Sequence, residues 1–249
     1  MLSKTKYRPS SGKRICLLFC FSFFILNAAF GQRGTWTWIS GDSAANSNGV
    51  FGIQGIPSPS NKPPALYEPC QWTDLNGNFW LYGGESNNGT LNDLWKYNPT
   101  NNEWMWMTGT HNDNDSGNYG IQGVASSANR PPSKGWGTLS WTDLDGNLWM
   151  FGGSADNSRF SDLWKYDISI NEWTWMKGPN SINQPSIYGI KGVPNTLNNP
   201  GNRCETSASW VDNSGDLWLF GGYWRYLICL DRRPHPCPSP QGATVYPHL

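Results

Sequence analysis

The chain has 249 residues, 37% of them apolar and only 14% charged, with 28 Gly, 18 Pro and 16 Trp. Its 18 basic and 18 acidic residues cancel, but the charge is uneven: between Gln32 and Trp224, 10 Lys or Arg face 17 Asp or Glu, a net charge of −7. Such a surface repels phosphate backbones and argues against nucleic acid as a partner.

Lys4, Lys6, Arg8, Lys13 and Arg14 precede an apolar run from Ile15 to Leu26, and small residues follow at Ala29 and Gly31. This predicts a signal peptide over 1–31, cleaved near Gly31, and a secreted, periplasmic or cell-surface mature chain. The run is too short for a stable membrane span. Cys16 and Cys20 leave with the leader. Cys70, Cys204, Cys229 and Cys237 show no metal-like clustering, so a disulfide is permitted but no pairing is specified.

Next comes Trp36-Thr37-Trp38, which reads as a strand, and then a long connection that recurs. Gly41 to Gly55, Gly109 to Gly123 and Gly178 to Gly192 align without a gap, with Asn46, Asn114 and Asn183 coincident. Phe51-Gly52-Ile53, Tyr119-Gly120-Ile121 and Tyr188-Gly189-Ile190 coincide as well. A passive linker would not keep one register three times. The aromatic and the Ile are expected to tuck against a sheet edge while the glycines hold turns.

A hairpin signature follows each connection, starting at Trp72, Trp141 and Trp210, 69 residues apart. It runs through Asn76-Gly77, Asp145-Gly146 or Ser214-Gly215, where Gly supplies the positive φ of a tight turn. An apolar strand then ends in a Gly pair, Gly83-Gly84, Gly152-Gly153 or Gly221-Gly222. Such pairs let the backbone bend or approach a neighbour closely. Two further strands complete the first two units: Leu94 to Tyr97 with Glu103 to Trp106, and Leu163 to Tyr166 with Glu172 to Trp175. Each unit therefore holds four short strands, with almost no helical periodicity.

The Gly doublet, a later Tyr and a Trp seven residues beyond it resemble the kelch signature. Here they are Gly83, Gly84, Tyr97 and Trp104, then Gly152, Gly153, Tyr166 and Trp173. The wider pattern is similar to secreted bacterial kelch proteins of the galactose-oxidase-like group, and it covers Trp36 to Gly222. The resemblance implies an all-β, kelch-type β-propeller over 32–224, each blade having its first strand at the axis and its fourth at the rim. It also implies that Trp36-Thr37-Trp38 completes a last blade that this sequence does not contain. The expected content is two full blades, half a blade and that closing strand.

From Arg225 the composition changes to Pro, Cys, His and Arg, and the Asp-Leu-Trp-Lys-Tyr strand does not recur near residue 231. A frameshift or truncated product is the preferred explanation, a genuine Pro-rich tail the alternative, and 225–249 is expected to be disordered. An open arc of about three units would expose a strand edge and inter-blade Trp faces, favouring self-association.

Catalytic and metal chemistry find little support. His111 is alone in the repeat region, with His235 and His248 in the tail, and one imidazole cannot furnish a copper site. The stretch from His111 to Gly117 has alternating oxygen ligands but lacks the closing Glu of a calcium loop, since residue 123 is Gly. Asp93 and Asp162, like Glu103 and Glu172, recur at fixed places and read as scaffold. No metal and no cofactor are expected.

Connectivity places the second-to-third and fourth-to-first connections at one end of each sheet, the end with the longer loops. Non-repeated Lys134, Trp136, Arg159 and Arg203 are the candidate ligand contacts there, since a cation or indole can meet a sugar or carboxylate. The functional reading is a non-catalytic module binding protein or glycan. The alternative is a fragment of a carbohydrate-active kelch enzyme, of sugar-oxidase or sialic-acid-mutarotase type, whose catalytic blades lie elsewhere.

Overall fold

The computed structural model describes residues 34–204, 207–222 and 227–230. The leader and residues 231–249 lie outside the described residues. Among the described residues no helix is long and apolar enough to cross a membrane.

The first unit forms one antiparallel sheet of β1 (Cys70–Thr73), β2 (Phe79–Tyr82), β3 (Leu94–Asn98) and β4 (Glu103–Thr108), in that order. The second repeats it with β5 (Leu139–Thr142) and β6 (Leu148–Phe151), then a small hairpin of β7 (Ser154–Ala155) and β8 (Ser158–Arg159), then β9 (Leu163–Asp167) and β10 (Glu172–Lys177). The third sheet contains β11 (Ser207–Val211), β12 (Leu217–Gly221) and β13 (Leu227–Leu230). β5 lies beside both β1 and β11, so the first strands of the three units are neighbours and the fourth strands form the far edges.

Two expectations change here. The third unit has three strands rather than two, because Leu227–Leu230 pairs with β12, setting Leu217 opposite Leu230 where the earlier units set Phe79 opposite Tyr97 and Leu148 opposite Tyr166. A backbone that fits the ladder takes the third-strand position even though the Asp-Leu-Trp-Lys-Tyr sequence is absent. Conversely, Trp36-Thr37-Trp38 is not a strand, since no ladder includes these residues and a strand exists only where a neighbour takes its backbone groups.

Each hairpin turn is organised by the Asp that follows its Trp-Thr or Trp-Val pair. The Asp74 carboxylate accepts the backbone N–H groups of Asn76 and Asn78 and the indole N–H of Trp80 at 2.9 Å. Asp143 with Trp149 and Asp212 with Trp218 repeat this. Burial alone would raise the Asp74 pKa, but these donors outweigh it and hold the carboxyl below its ordinary range. Gly77, Gly146 and Gly215 take the positive φ expected of the turn.

The glycine pairs meet a crossing segment. A side chain on Gly83 would strike the Lys134 carbonyl, and one on Gly152 the Arg203 carbonyl. The bare backbone instead donates from Gly84 to Lys134 O at 3.0 Å and from Gly153 to Arg203 O at 2.7 Å.

The long connections cover the rim strands. Gly55 N–H donates to Trp106 O and Ser58 N–H to Trp104 O, and Gly123 and Ser126 do the same to Trp175 and Trp173. Each loop thus satisfies an edge that would otherwise be open. Asn61 clamps the first loop by donating to Ile56 O and Trp104 O, and Asn129 clamps the second by donating to Val124 O at 2.8 Å and Trp173 O at 2.9 Å. In the first two loops the aromatic residue packs inward as expected, Phe51 on Trp95 and Tyr119 on Trp164, with centroids 4.9 and 5.0 Å apart, whereas Tyr188 of the third is exposed. The Ile does not: Ile53, Ile121 and Ile190 are all exposed, because the residue after the glycine points away from the sheet.

Asn129→Ala should cost about 1–3 kcal/mol, since it strips two hydrogen bonds from buried groups. Asn198→Ala should cost less, because among the described residues Asn198 donates only to Val193 O, at 3.4 Å. Urea unfolding of the two variants side by side measures the difference.

Two apolar clusters hold the sheets together. Trp72, Trp80, Tyr82 and Leu94 of the first unit meet Leu148, Met150, Trp164, Tyr166 and Trp173 of the second. Leu139, Trp141, Trp149, Phe151 and Leu163 then meet Leu217 and Leu219 of the third. Fully burying such side chains contributes roughly 1.5–3 kcal/mol each.

Candidate functional site

The expected loop end forms as the connectivity predicts. Thr90, between β2 and β3, exchanges hydrogen bonds with Asn114, whose N–H donates to Thr90 O at 2.7 Å while its side-chain oxygen accepts from Thr90 N–H at 3.1 Å. Arg159 and Asn183 pair identically one unit later. Asn46, Asn114 and Asn183 all take φ near +57°, a conformation Asn tolerates well, which explains their coincidence in the repeat.

Of the four candidate contacts, two are used inside the protein. Lys134 is fully buried, its Nζ 2.7 Å from Asp162 Oδ1 and 4.5 Å from the centre of the Phe160 ring. Burial pulls its pKa down and the Asp162 charge opposes that fall. Arg203 occupies the same place one unit on; it is also fully buried, and donates to the Tyr188 hydroxyl at 3.0 Å. In this structure both cations belong to the packing beneath the loops and present no surface to an external ligand. The sequence gives their charge but not their depth.

Trp136 and Arg159 stand at the loop end. Trp136 is half-buried, and its indole N–H donates to Glu85 Oε2 at 3.0 Å. The exposed Tyr67 meets it edge-on, with ring centres 6.4 Å apart. Ser154 links this cluster to Arg159: its hydroxyl donates to Trp136 O at 3.4 Å, and its ladder partner is Arg159, whose side chain is exposed. Beside the cluster lies an open concavity of about 460 Å³ lined by Asn46, Ala65, Leu66, Tyr67, Glu85, Ser86 and Asn87. Its size falls within the range of small-ligand sites.

Tyr67 and Glu85 are functional candidates that sequence reasoning missed. They hold equivalent backbone positions to Gly135 and Ser154, since Tyr67 N–H donates to Glu85 O as Gly135 N–H does to Ser154 O. A departure from the repeat at these two places was the available signal. Glu68, the next residue, takes φ +46° without being Gly or Asn. That conformation costs of order 1–3 kcal/mol and recurs where a chain is held for a purpose.

The site can stack planar or apolar groups on Tyr67 and Trp136, accept hydrogen bonds at Glu85, and exchange them with Asn46, Ser86 and Asn87. It has no nucleophile paired with a base. Among the described residues, no three His, Cys, Asp or Glu side chains converge as a metal site would require.

The repeated carboxylates Asp93 and Asp162 differ sharply. Asp162 accepts from Lys134, from the Tyr119 hydroxyl at 2.8 Å and from Trp164 Nε1 at 2.7 Å. In the first unit Phe51 replaces Tyr119 and Leu66 replaces Lys134. Asp93 Oδ1 accepts from Trp106 Nε1 at 3.1 Å and lies 3.1 Å from His111 Nδ1, but Asp93 Oδ2 and Trp95 Nε1 are buried without partners among the described residues. Burial, with Asp115 adding its charge, pushes Asp93 up to about 6 against the donors His111 and Trp106, while burial lowers the His111 pKa.

No protein-family model matches the chain. Kelch domain-containing protein 2 of Bos taurus is 26% identical over 184 residues, which are 74% of this chain and 36% of that protein. The chain therefore spans little more than a third of that relative's length. The solved structure of YjhT is 12% identical and covers 73% of this chain and 55% of that one, with a TM-score of 0.39. The 69-residue repeat, the antiparallel four-stranded sheets and the bovine relative together support a kelch-like chain.

Proposed function

We propose that this chain is a non-catalytic binding module, exported after cleavage near Gly31, that recognises a protein or glycan through the loops at one end of its sheets. The observation that carries this reading is the Tyr67–Trp136–Glu85 cluster beside an open concavity. Aromatic faces flanking a carboxylate suit a sugar ring or a basic side chain, and these residues depart from the repeat that otherwise fixes the scaffold. The bovine relative is by name a kelch-domain protein, and repeat folds of this type display loops on a rigid frame. The net charge of −7 between Gln32 and Trp224 favours a neutral or basic partner over a nucleic acid.

The test is binding of the full chain to arrayed glycans and to arrayed Lys- and Arg-containing peptides, with turnover of a sugar panel assayed in parallel. Trp136→Ala should weaken the observed binding roughly 10-fold or more, as removal of a central aromatic anchor does, while leaving the unfolding midpoint near that of the parent. Product formation from a sugar, or binding indifferent to both Trp136→Ala and Tyr67→Ala, sinks the reading.

A further inference from the structure

Every side chain that satisfies Asp162 belongs to its own sheet or to the loop that covers that sheet. Lys134 Nζ lies 2.7 Å from Oδ1, while the Tyr119 hydroxyl and Trp164 Nε1 donate to Oδ2 at 2.8 and 2.7 Å. Both oxygens and the Trp164 indole are thereby paired.

The first unit has a residue at each of these places, with Trp95 for Trp164, Phe51 for Tyr119 and Leu66 for Lys134. Its aromatic packing is nearly the same: ring centres are 4.9 Å apart at 44° for Phe51 on Trp95, and 5.0 Å apart at 47° for Tyr119 on Trp164. The polar surroundings differ. A phenyl has no hydroxyl, and a leucine ends short of where a lysine places its amine, so the carboxylate loses two donors and gains room. Asp93 Oδ1 finds others, accepting from Trp106 Nε1 at 3.1 Å and from the His111 backbone N–H at 3.3 Å. Oδ2 does not. Asp93 and Trp95 are only 2% and 1% exposed, and Asp93 Oδ2 and Trp95 Nε1 have no partner among the described residues. An acceptor and a donor enclosed in this way each carry the full cost of losing water unless something bridges them.

We propose that the first unit holds one internal water molecule between Asp93 Oδ2 and Trp95 Nε1, in the room that the ends of Lys134 and Tyr119 take up in the second. The water donates to the carboxylate oxygen and accepts from the indole N–H. Asp162 and Trp164, also two positions apart in the chain, touch directly, so this spacing brings the two groups within reach of a single bridging molecule. The chemistry of the pair selects the guest. A cation would face the positive hydrogen of the indole and an anion would face the carboxylate, whereas a neutral molecule that both donates and accepts suits the two together. Enclosure keeps it small, and two polar partners suffice for a buried water. One motif thus occurs in two forms: the second unit builds its donors into side chains, and the first takes one from solvent.

Oxygen-17 relaxation dispersion on the full 249-residue chain, which counts long-lived internal waters, tests this against the double variant Phe51→Tyr with Leu66→Lys. That variant restores the hydroxyl and the amine of the second unit, and its count should be lower by one. Trp95→Phe, which removes the indole donor, should lower the count by one as well, and serves alone if the double variant loses its near-ultraviolet tryptophan signal. A crystal structure of the parent should show an oxygen within hydrogen-bond distance of both atoms. An unchanged count in a folded variant overturns the proposal. So does a parent crystal in which Trp95 Nε1 donates directly to Asp93, as Trp164 does to Asp162, or in which a cation occupies the place.

Discussion

Asp162→Asn should destabilise the protein by about 3–5 kcal/mol at pH 7, the usual consequence of removing one partner from a buried ion pair. The residue sits at the convergence of Lys134, Tyr119 and Trp164, all within 2.8 Å of its oxygens. An amide oxygen can still accept from the hydroxyl or the indole, but it offers no charge to Lys134. Burial already lowers the Lys134 pKa, and without the carboxylate the main interactions opposing that fall are gone, so the amine must become neutral or draw in water. Urea unfolding measures the loss. The pair Asp162→Asn with Lys134→Met should recover much of it, because the stranded charge is then gone and the Met chain fills the same channel. A double variant no more stable than Asp162→Asn alone would mean that Lys134 contributes through packing and not through its charge.

The equivalent carboxylate one unit earlier should behave in the opposite sense. Asp93 has a folded pKa of about 6 against an ordinary value of 3.8, so the native state holds the proton more tightly than the unfolded chain. Its contribution to stability is complete below about pH 4 and is lost as pH rises through 6, a fall of up to about 3 kcal/mol. His111 works the other way: burial lowers its pKa, so its contribution is present at neutral pH and lost as the imidazole protonates in acid. The charged groups around the pair are Asp115, which raises Asp93 further, and Arg130, which binds Asp115 at 3.2 Å. Asp93→Asn should remove the fall between pH 4 and 6 and leave the rise attributable to His111. Urea midpoints of parent and variant across that range decide it, and parallel curves would show that Asp93 titrates normally.

These two residues also mark how far the repeat could be read. Asp93 and Asp162 occupy one place in the motif, and the sequence correctly assigns both to the scaffold. It does not distinguish them, because the difference lies in Phe51 against Tyr119 and Leu66 against Lys134, residues 27 or more positions away in the chain. The candidate site has the same history. The sequence offers Lys134, Trp136, Arg159 and Arg203 alike as candidate contacts, and the structure sets Trp136 and Arg159 at the loop end and buries Lys134 and Arg203. Tyr67 and Glu85 are brought to Trp136 from separate loops, and no local pattern signals that meeting.

The periodic part of the protein can be read from its residues alone: short strands, glycine turns, the 69-residue unit and the ordered long loops. These depend on backbone conformation and alternation, which are local properties repeated often enough to be unmistakable. Depth and partnership come from the folded arrangement. It buried two cations beneath the loops, turned the repeated Ile outward, and built a third strand from Leu227–Leu230 where the motif had lapsed. Those outcomes depend on which distant groups converge, and packing between units, unlike a turn, is not encoded within any one unit.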